Sequence, residues 1–355
     1  MKQKGFIIIL TTVLMLSFNG CLTNVLNCPE DLLETSSCPT KNKDNDKYTN
    51  ALWIIALIGG GNTSTLKNAI IAGGYSNDSS GVSVPGYWIN GNWNKLTPVD
   101  STRDSSVNSL VVSGSDVYAG GRGYDSNRYW YVWVAGYWKN GNWNKLTPIE
   151  SIKDSSVNSL VVSGSDVYAG GYSSSTSSIL GAAVAGYWKN GTWNGLNPNY
   201  SSKSSSVNSL VVSDSNIYAG GYNENSSGVS VAGYWKNGTW NELAPIDSTK
   251  DSRVSSLVVS GSDVYAGGYS KNSSGVSVAG YWKNGTWNEL SSIDSNKDSG
   301  VNSLVVSDSD VYAGGYSKNS SGVSVAGYWK NGTWNELTSI DPKEDSGVNS
   351  IILGQ

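Results

Sequence analysis

Between residues 122 and 133 the chain reads Arg122-Gly-Tyr124-Asp125-Ser-Asn-Arg128-Tyr129-Trp130-Tyr131-Val-Trp133, which gathers two arginines, an aspartate and five aromatic rings. Side chains of these types bind ligands, because rings stack on sugar faces or anchor the side chains of a partner. Arg122, Tyr124, Asp125, Arg128, Tyr129 and Trp130 are therefore candidate ligand contacts. The alternative is that Tyr129, Tyr131 and Trp133 extend a strand and pack between neighbouring sheets.

Catalytic groups are scarcer. The chain has no histidine, which removes the usual general base, the usual triad member and the commonest metal ligand together. Only Arg103, Arg122, Arg128 and Arg253 are available to clamp anions. Recurring acids such as Asp247 and Asp251, with Lys250 between them, fall in connecting segments and read as solvated loops. No Asp/Asn run, Ser307-Asp-Ser-Asp310 included, has the spacing of a calcium loop. No metal or cofactor is expected. Glu150, standing where most units have Asp, is the one irregular acid.

These residues are embedded in a repeat. Gly-Tyr-Trp-x-Asn-Gly-x-Trp occurs six times, with its first Trp at Trp88, Trp138, Trp188, Trp235, Trp282 and Trp329, in steps of 50, 50, 47, 47 and 47 residues. A fixed period of this length marks a propeller or array. In one unit, Val254–Val259 is a β-rich run and Ser260-Gly-Ser-Asp263 a turn. Asp263–Gly268 is a second run, and Val276–Lys283 meets Thr286–Leu290 across Asn284-Gly285, whose type I′ turn needs positive φ at both central residues. Both faces of these strands are apolar, so each sheet must be sandwiched between copies of itself. The expectation is an all-β, six-bladed propeller of four-stranded blades over residues 51–355. The pair Gly267-Gly268 predicts close backbone approach between neighbours.

Gly267-Gly268, Tyr281 and Trp287, with Gly120-Gly121, Tyr137, Trp143 and Gly170-Gly171, Tyr187, Trp193, resemble the kelch repeat. The resemblance covers most of the chain, although kelch units usually spell Tyr-Asp where this one has Tyr-Trp-Lys. The sialidase Asp-box does not fit, because Gly285-Thr-Trp287 has one residue between Gly and Trp where that motif has two. In kelch-like propellers, the loops joining strands two and three share a face with the inter-blade loops, and that face commonly takes the ligand. The resemblance thus implies a site gathering the 122–130 loop, the Ser173–Ile179 loop, and Arg103, Asp104, Lys153 and Asp154.

Val348-Asn-Ser-Ile-Ile-Leu353 repeats Val301-Asn-Ser-Leu-Val-Val306 with no unit after it, as expected of a strand that closes the ring. Ala51–Leu57 competes for that place. At the other end, Lys2 and Lys4 precede the apolar stretch Phe6–Phe18, which is too short to span a bilayer and is flanked like a secretory signal. Asn19-Gly20-Cys21 resembles a bacterial lipobox, implying a signal peptide over residues 1–20 and acylation of Cys21, with Phe18 departing from the usual Leu. Residues 21–50 read as a polar tether. Cys28 and Cys38 there are able to pair outside the cytosol. Loss of Lys2 and Lys4 with the signal leaves 22 basic against 28 acidic residues, which argues against nucleic acid as a partner.

Residues 254–300 and 301–347 differ at six of 47 positions. A special function in those units would have to recur in both, whereas the irregular unit is 107–156. The expected function is an envelope lipoprotein, anchored by lipid, whose monomeric propeller binds or adheres to a protein or carbohydrate. Two alternatives stand beside it: an envelope glycosidase or lyase using propeller-face carboxylates, and a structural or antigenic repeat protein without a specific ligand.

Overall fold

The computed structural model describes residues 54–57, 70–125, 132–175, 182–196 and 203–353. Among these residues the elements are all strands, grouped into six four-stranded antiparallel sheets, each built from four strands consecutive in the chain. Blade 5 contains Ser252–Ser260, Asp263–Lys271, Ser277–Lys283 and Thr286–Glu289. The other blades begin with strands Ile54–Leu57, Ser105–Ser113, Ser155–Ser163, Ser205–Ser213 and Ser299–Ser307. The fold is the six-bladed β-propeller that the period implies.

Local chemistry sets each hairpin. Asn284 and Gly285 have φ of 49° and 84°, the positive pair that a type I′ turn demands. The Asn does more than turn the chain. Its Oδ1 accepts from the Val264 amide at 2.9 Å and its Nδ2 donates to Asp263 at 2.8 Å, tying the third turn to the start of strand two. Ser307-Asp-Ser-Asp310 is likewise a turn: Asp308 sits at φ 53° and Asp310 pairs with Lys330.

Blades are held together by large side chains on glycine faces. Trp138, Trp188, Trp235, Trp282 and Trp329 have no solvent exposure, and Trp282 donates its indole N–H back to the carbonyl of Ala244 in blade 4 at 2.8 Å. The core is divided accordingly. One cluster joins Tyr218, Ala232 and Leu243 of blade 4 to Val254, Leu257, Val264, Ala266 and Trp282 of blade 5, and four similar clusters fill the other junctions from blade 1 to blade 6.

The glycine pair works differently from the expected backbone contact between sheets. Gly267 faces the next blade, where a Cβ would lie 2.5 Å from Leu304 Cγ. Gly268 faces its own sheet, at a register slip between Val254 and Ser256, where a Cβ would run into the Arg253 carbonyl. The first glycine admits a neighbour's side chains; the second admits a β-bulge.

The same bulge turns an Asn toward the axis. Asn108, Asn158, Asn208 and Asn302 donate Nδ2 to the carbonyls of Val157, Val207, Val254 and Val348, each in the following unit, at 2.8–2.9 Å. Ser109, Ser159, Ser209 and Ser256 accept from the amides of Leu160, Leu210, Leu257 and Leu304. The innermost strands, too divergent to pair as a sheet, are thus laced together by side chains.

Closure corrects an expectation. Ile54–Leu57 pairs with Ile70–Gly73 as the first strand of blade 1, so the competing N-terminal candidate takes that place. The C-terminal segment forms no strand with blade 1. It lies on the outgoing face of blade 6 as an incoming first strand would, with Val348 N–H on the Gly315 carbonyl, Ile351 N–H on Ser303 Oγ, and Val348 and Ile351 against Gly314. It covers only the axial part of that face. Leu337 is 41% exposed, whereas its counterparts Leu96, Leu146, Leu196, Leu243 and Leu290 are at 1–3%.

Deleting Val348–Gln355 will uncover Gly314 and leave the Asn302 and Ser303 side chains without their partners. The expected result is a melting temperature lower by several degrees with an unchanged β-type circular dichroism spectrum. An unaltered melting temperature would show that the segment contributes nothing to blade 6.

Candidate ligand site at the mouth of the axial channel

The residue after each glycine pair is Tyr75, Tyr172, Tyr222, Tyr269 and Tyr316 in five blades, and Arg122 in blade 2. Arg122 lies in strand Asp116–Asp125, opposite Ser106 on one side and Ala135 on the other. Two positions on, Tyr124 pairs in register with Trp133, where blades 4 to 6 have Ser230, Ser277 and Ser324. The three substitutions touch. The Arg122 guanidinium sits 4.1 Å above the Trp133 ring, and the Tyr124 and Trp133 rings are 3.8 Å apart.

Asp125 and Lys145 adjoin the patch, at positions where blade 1 also has Asp78 and Lys95. They form an ion pair at 2.9 Å, at positions where blades 4 to 6 have Asn225, Asn272 and Asn319 and Glu242, Glu289 and Glu336. The Asp125 side chain is only 10% exposed, so the pair fixes the end of strand two. Asp125 is thus a support, placed beside the aromatic cluster.

Across the junction to blade 3, Arg122 lies close enough to Tyr172 for its charge to act on the phenol. Burial raises the Tyr172 pKa above its usual value of 10.0, while Arg122 pulls it the other way, and the phenol stays neutral at physiological pH. Arg122 Nε is buried and makes no hydrogen bond. An orphaned buried donor costs about 1–3 kcal/mol, so it calls for an explanation in function or strain.

Arg122 and Tyr172 line an axial cavity of about 520 Å³. The rest of its wall is amide and hydroxyl: Asn108, Asn158, Asn208, Asn302 and Asn349 alternate with serines such as Ser109 and Ser159. Arg122 is the single charged residue on that wall. A second arginine, Arg253, is in blade 5, where the other first strands have Ser106, Ser156, Ser206 and Gly300. Its guanidinium lies 4.2 Å over Tyr222 and donates to Ser230 Oγ at 3.2 Å.

The remaining sequence candidates fall out differently. Asp104 and Asp154 accept from the amides of Ser83 and Trp133 at 2.8 and 2.9 Å. Asp251, Asp298 and Asp345 do the same for theirs, so these acids cap the third strand in five of the six blades, the blade 3 position being Ser204. Arg103 is exposed in the inter-blade turn, and Lys153 closes the next such turn through its amide on the Glu150 carbonyl. Glu150 accepts from Ser175 Oγ at 2.8 Å. Arg128, Tyr129 and Trp130 lie outside the described residues, as do Cys21, Cys28, Cys38 and part of the Ser173–Ile179 loop. Among the described residues no three of His, Cys, Asp and Glu stand close enough to hold a metal ion.

Sequence reasoning passed over Tyr172 and the Asn ring, counted Arg253 only as an available cation, and left Trp133 between ligand contact and packing. Aligning the units shows the signal for Arg122, Trp133 and Arg253: each is a large side chain where its counterparts are alike and different. The Asn ring gave no such signal, because recurrence hides it. No protein-family model matches the chain, and no curated protein matches it.

On the rim opposite the loops, Lys139 and Asn140 hydrogen-bond Asp116 and hold its carboxyl below its usual 3.8. Asp166 with Lys189 and Asn190, Asp263 with Asn284 and Lys283, and Asp310 with Asn331 and Lys330 repeat the arrangement. A carboxyl pKa lowered by folding adds stability that is complete above the unfolded value and disappears as pH falls through the folded one. The expected melting temperature is therefore flat from neutral pH down to about 5 and drops below 3.8. These pairs are exposed, so the drop from them is modest. Replacing the four aspartates by Asn, as blade 4 already has at Asn216, will flatten the acid limb; an unchanged limb would remove these pairs from the account.

Proposed function

We propose that this chain is a bacterial envelope lipoprotein whose kelch-like propeller serves as a binding module for a carbohydrate or protein ligand. The observation that carries the reading is the concentration of irregularity. Five touching or adjacent positions of blade 2, Arg122, Tyr124, Asp125, Trp133 and Lys145, depart from the pattern of blades 4 to 6. One of them, Arg122, lines a polar cavity. Blade 1 shares the Asp and the Lys, as Asp78 and Lys95, but Arg122, Tyr124 and Trp133 occur in blade 2 alone, and the other blades pack without them. A cation on a cavity wall beside two stacked rings suits ligand capture.

The anchor is the second half of the proposal. Cys21 follows a basic and then apolar N-terminal stretch, and its acylation would hold the protein at a membrane, each acyl chain contributing about 0.8 kcal/mol per buried methylene. The polar tether after it lets the propeller reach away from the surface.

Two experiments test the halves separately. Cys21→Ser is expected to move the protein from the membrane fraction to the soluble one; unchanged fractionation would reject the lipid anchor. The mature Cys21→Ser chain, screened against glycans and matrix proteins, is then compared with the same chain carrying Arg122→Tyr, Tyr124→Lys and Trp133→Ser, which give blade 2 the residues of blades 5 and 6. Loss of roughly 2 kcal/mol or more of binding, as for a hot spot, with an intact fold is the expected outcome. Equal affinity in the folded triple variant would return the patch to a structural role.

A further inference from the structure

We infer that the axial cavity takes an acidic saccharide, whose carboxylate is held by the Arg122 guanidinium at the mouth and whose hydroxyls are met by the Asn and Ser ring below. The inference rests on the binding-module reading and names its ligand class.

Charge supplies the first constraint. Arg122 is the single charged residue lining the cavity, and no salt bridge to a carboxylate involves it among the described residues. The neighbouring Asp125 is taken by Lys145. The Arg122 guanidinium carbon lies 4.1 Å from the centre of the Trp133 ring, and a guanidinium presents a planar fork suited to bidentate contact with a carboxylate. Its buried Nε has no partner; a carboxylate drawing the group toward the cavity would provide one.

The lower wall supplies the second. Asn108, Asn158 and Asn208 direct their amide donors to the next blade. Their Oδ1 atoms receive only long contacts, 3.3–3.5 Å, from Ser106, Ser156 and Ser206, so they remain acceptors. Ser109 and Ser159 already accept from backbone amides, which leaves their O–H groups to donate. A wall that offers amide oxygens as acceptors and hydroxyls as donors, with one cation, favours a ligand rich in O–H groups that bears a single anionic group. A sugar ring with a single carboxylate meets both constraints. The size agrees, since about 520 Å³ is within the usual range for a small-ligand site.

Arg122→Tyr is a variant with a built-in folding control, because five other blades already carry Tyr at this position. The mature Cys21→Ser chain is titrated calorimetrically with glucuronic acid, N-acetylneuraminic acid and glucose. At least one acid is expected to bind roughly tenfold or more tightly than glucose, with Arg122→Tyr erasing that preference and Arg122→Lys, which lacks the planar fork, reducing it. Glucose binding as well as the acids, or a preference that survives in Arg122→Tyr, would overturn the inference while leaving the binding-module reading intact. Failure of all three sugars at millimolar concentration also overturns it. The module reading itself falls only if the broader screen finds no partner sensitive to the blade 2 substitutions.

Discussion

A four-stranded sheet that is apolar on both faces has no stable existence alone, and each blade of this protein depends on a neighbour pressing bulky side chains onto its glycine face. Gly267 receives Val301 and Leu304, and the fully buried Trp of the incoming blade reaches back to a carbonyl of the preceding one. Any side chain at Gly267 would hold the sheets apart. The tight period of the chain follows from this contact: every unit must present a groove on one face and fill one with the other. Replacing the plug is correspondingly costly, since truncating a buried Trp typically removes about 3–5 kcal/mol.

The same constraint decides where function is able to reside. Faces are committed to packing, and the short Asn-Gly and Ser-Gly-Ser-Asp turns are committed to their backbone conformations. What remains free to vary is the mouth of the axis, where strand two leaves the glycine pair. There blade 2 exchanges Tyr for Arg122, and Ser for Trp133 on the adjoining strand. Blade 5 adds Arg253 on its first strand, over Tyr222. In blade 2 the altered residues of strand two begin one position beyond the bulge that anchors the neighbour, so the packing face is left unchanged.

Much of this was legible from the residues. The Asn-Gly turns, the six blades and the irregular unit 107–156 all follow from spacing and from the φ preferences of Asn and Gly. Arg122 and Tyr124 were visible because they interrupt a repeat. Asp104 and Asp154 looked like ligand contacts for want of one fact, that each caps the third strand of the preceding blade from 21 residues away. The glycine pair was read as one device, though the bulge beside Val254 splits it into two. Val348–Leu353 was legible as a first strand, but not its partner: sequence identity to Val301–Val306 dictates which face it covers, and says nothing about which sheet it joins.

The account stands on Arg122 as the group that meets the ligand. The chain has four arginines, so the side-chain Nε–H signals in a nitrogen–proton correlation spectrum form a small set, assignable by substitution. On titration with glucuronic acid, the Arg122 signal should move first and furthest, with its hydrogen slowing in exchange, while Arg103 stays in place. A titration in which the Arg122 signal is unmoved at saturation would contradict the account.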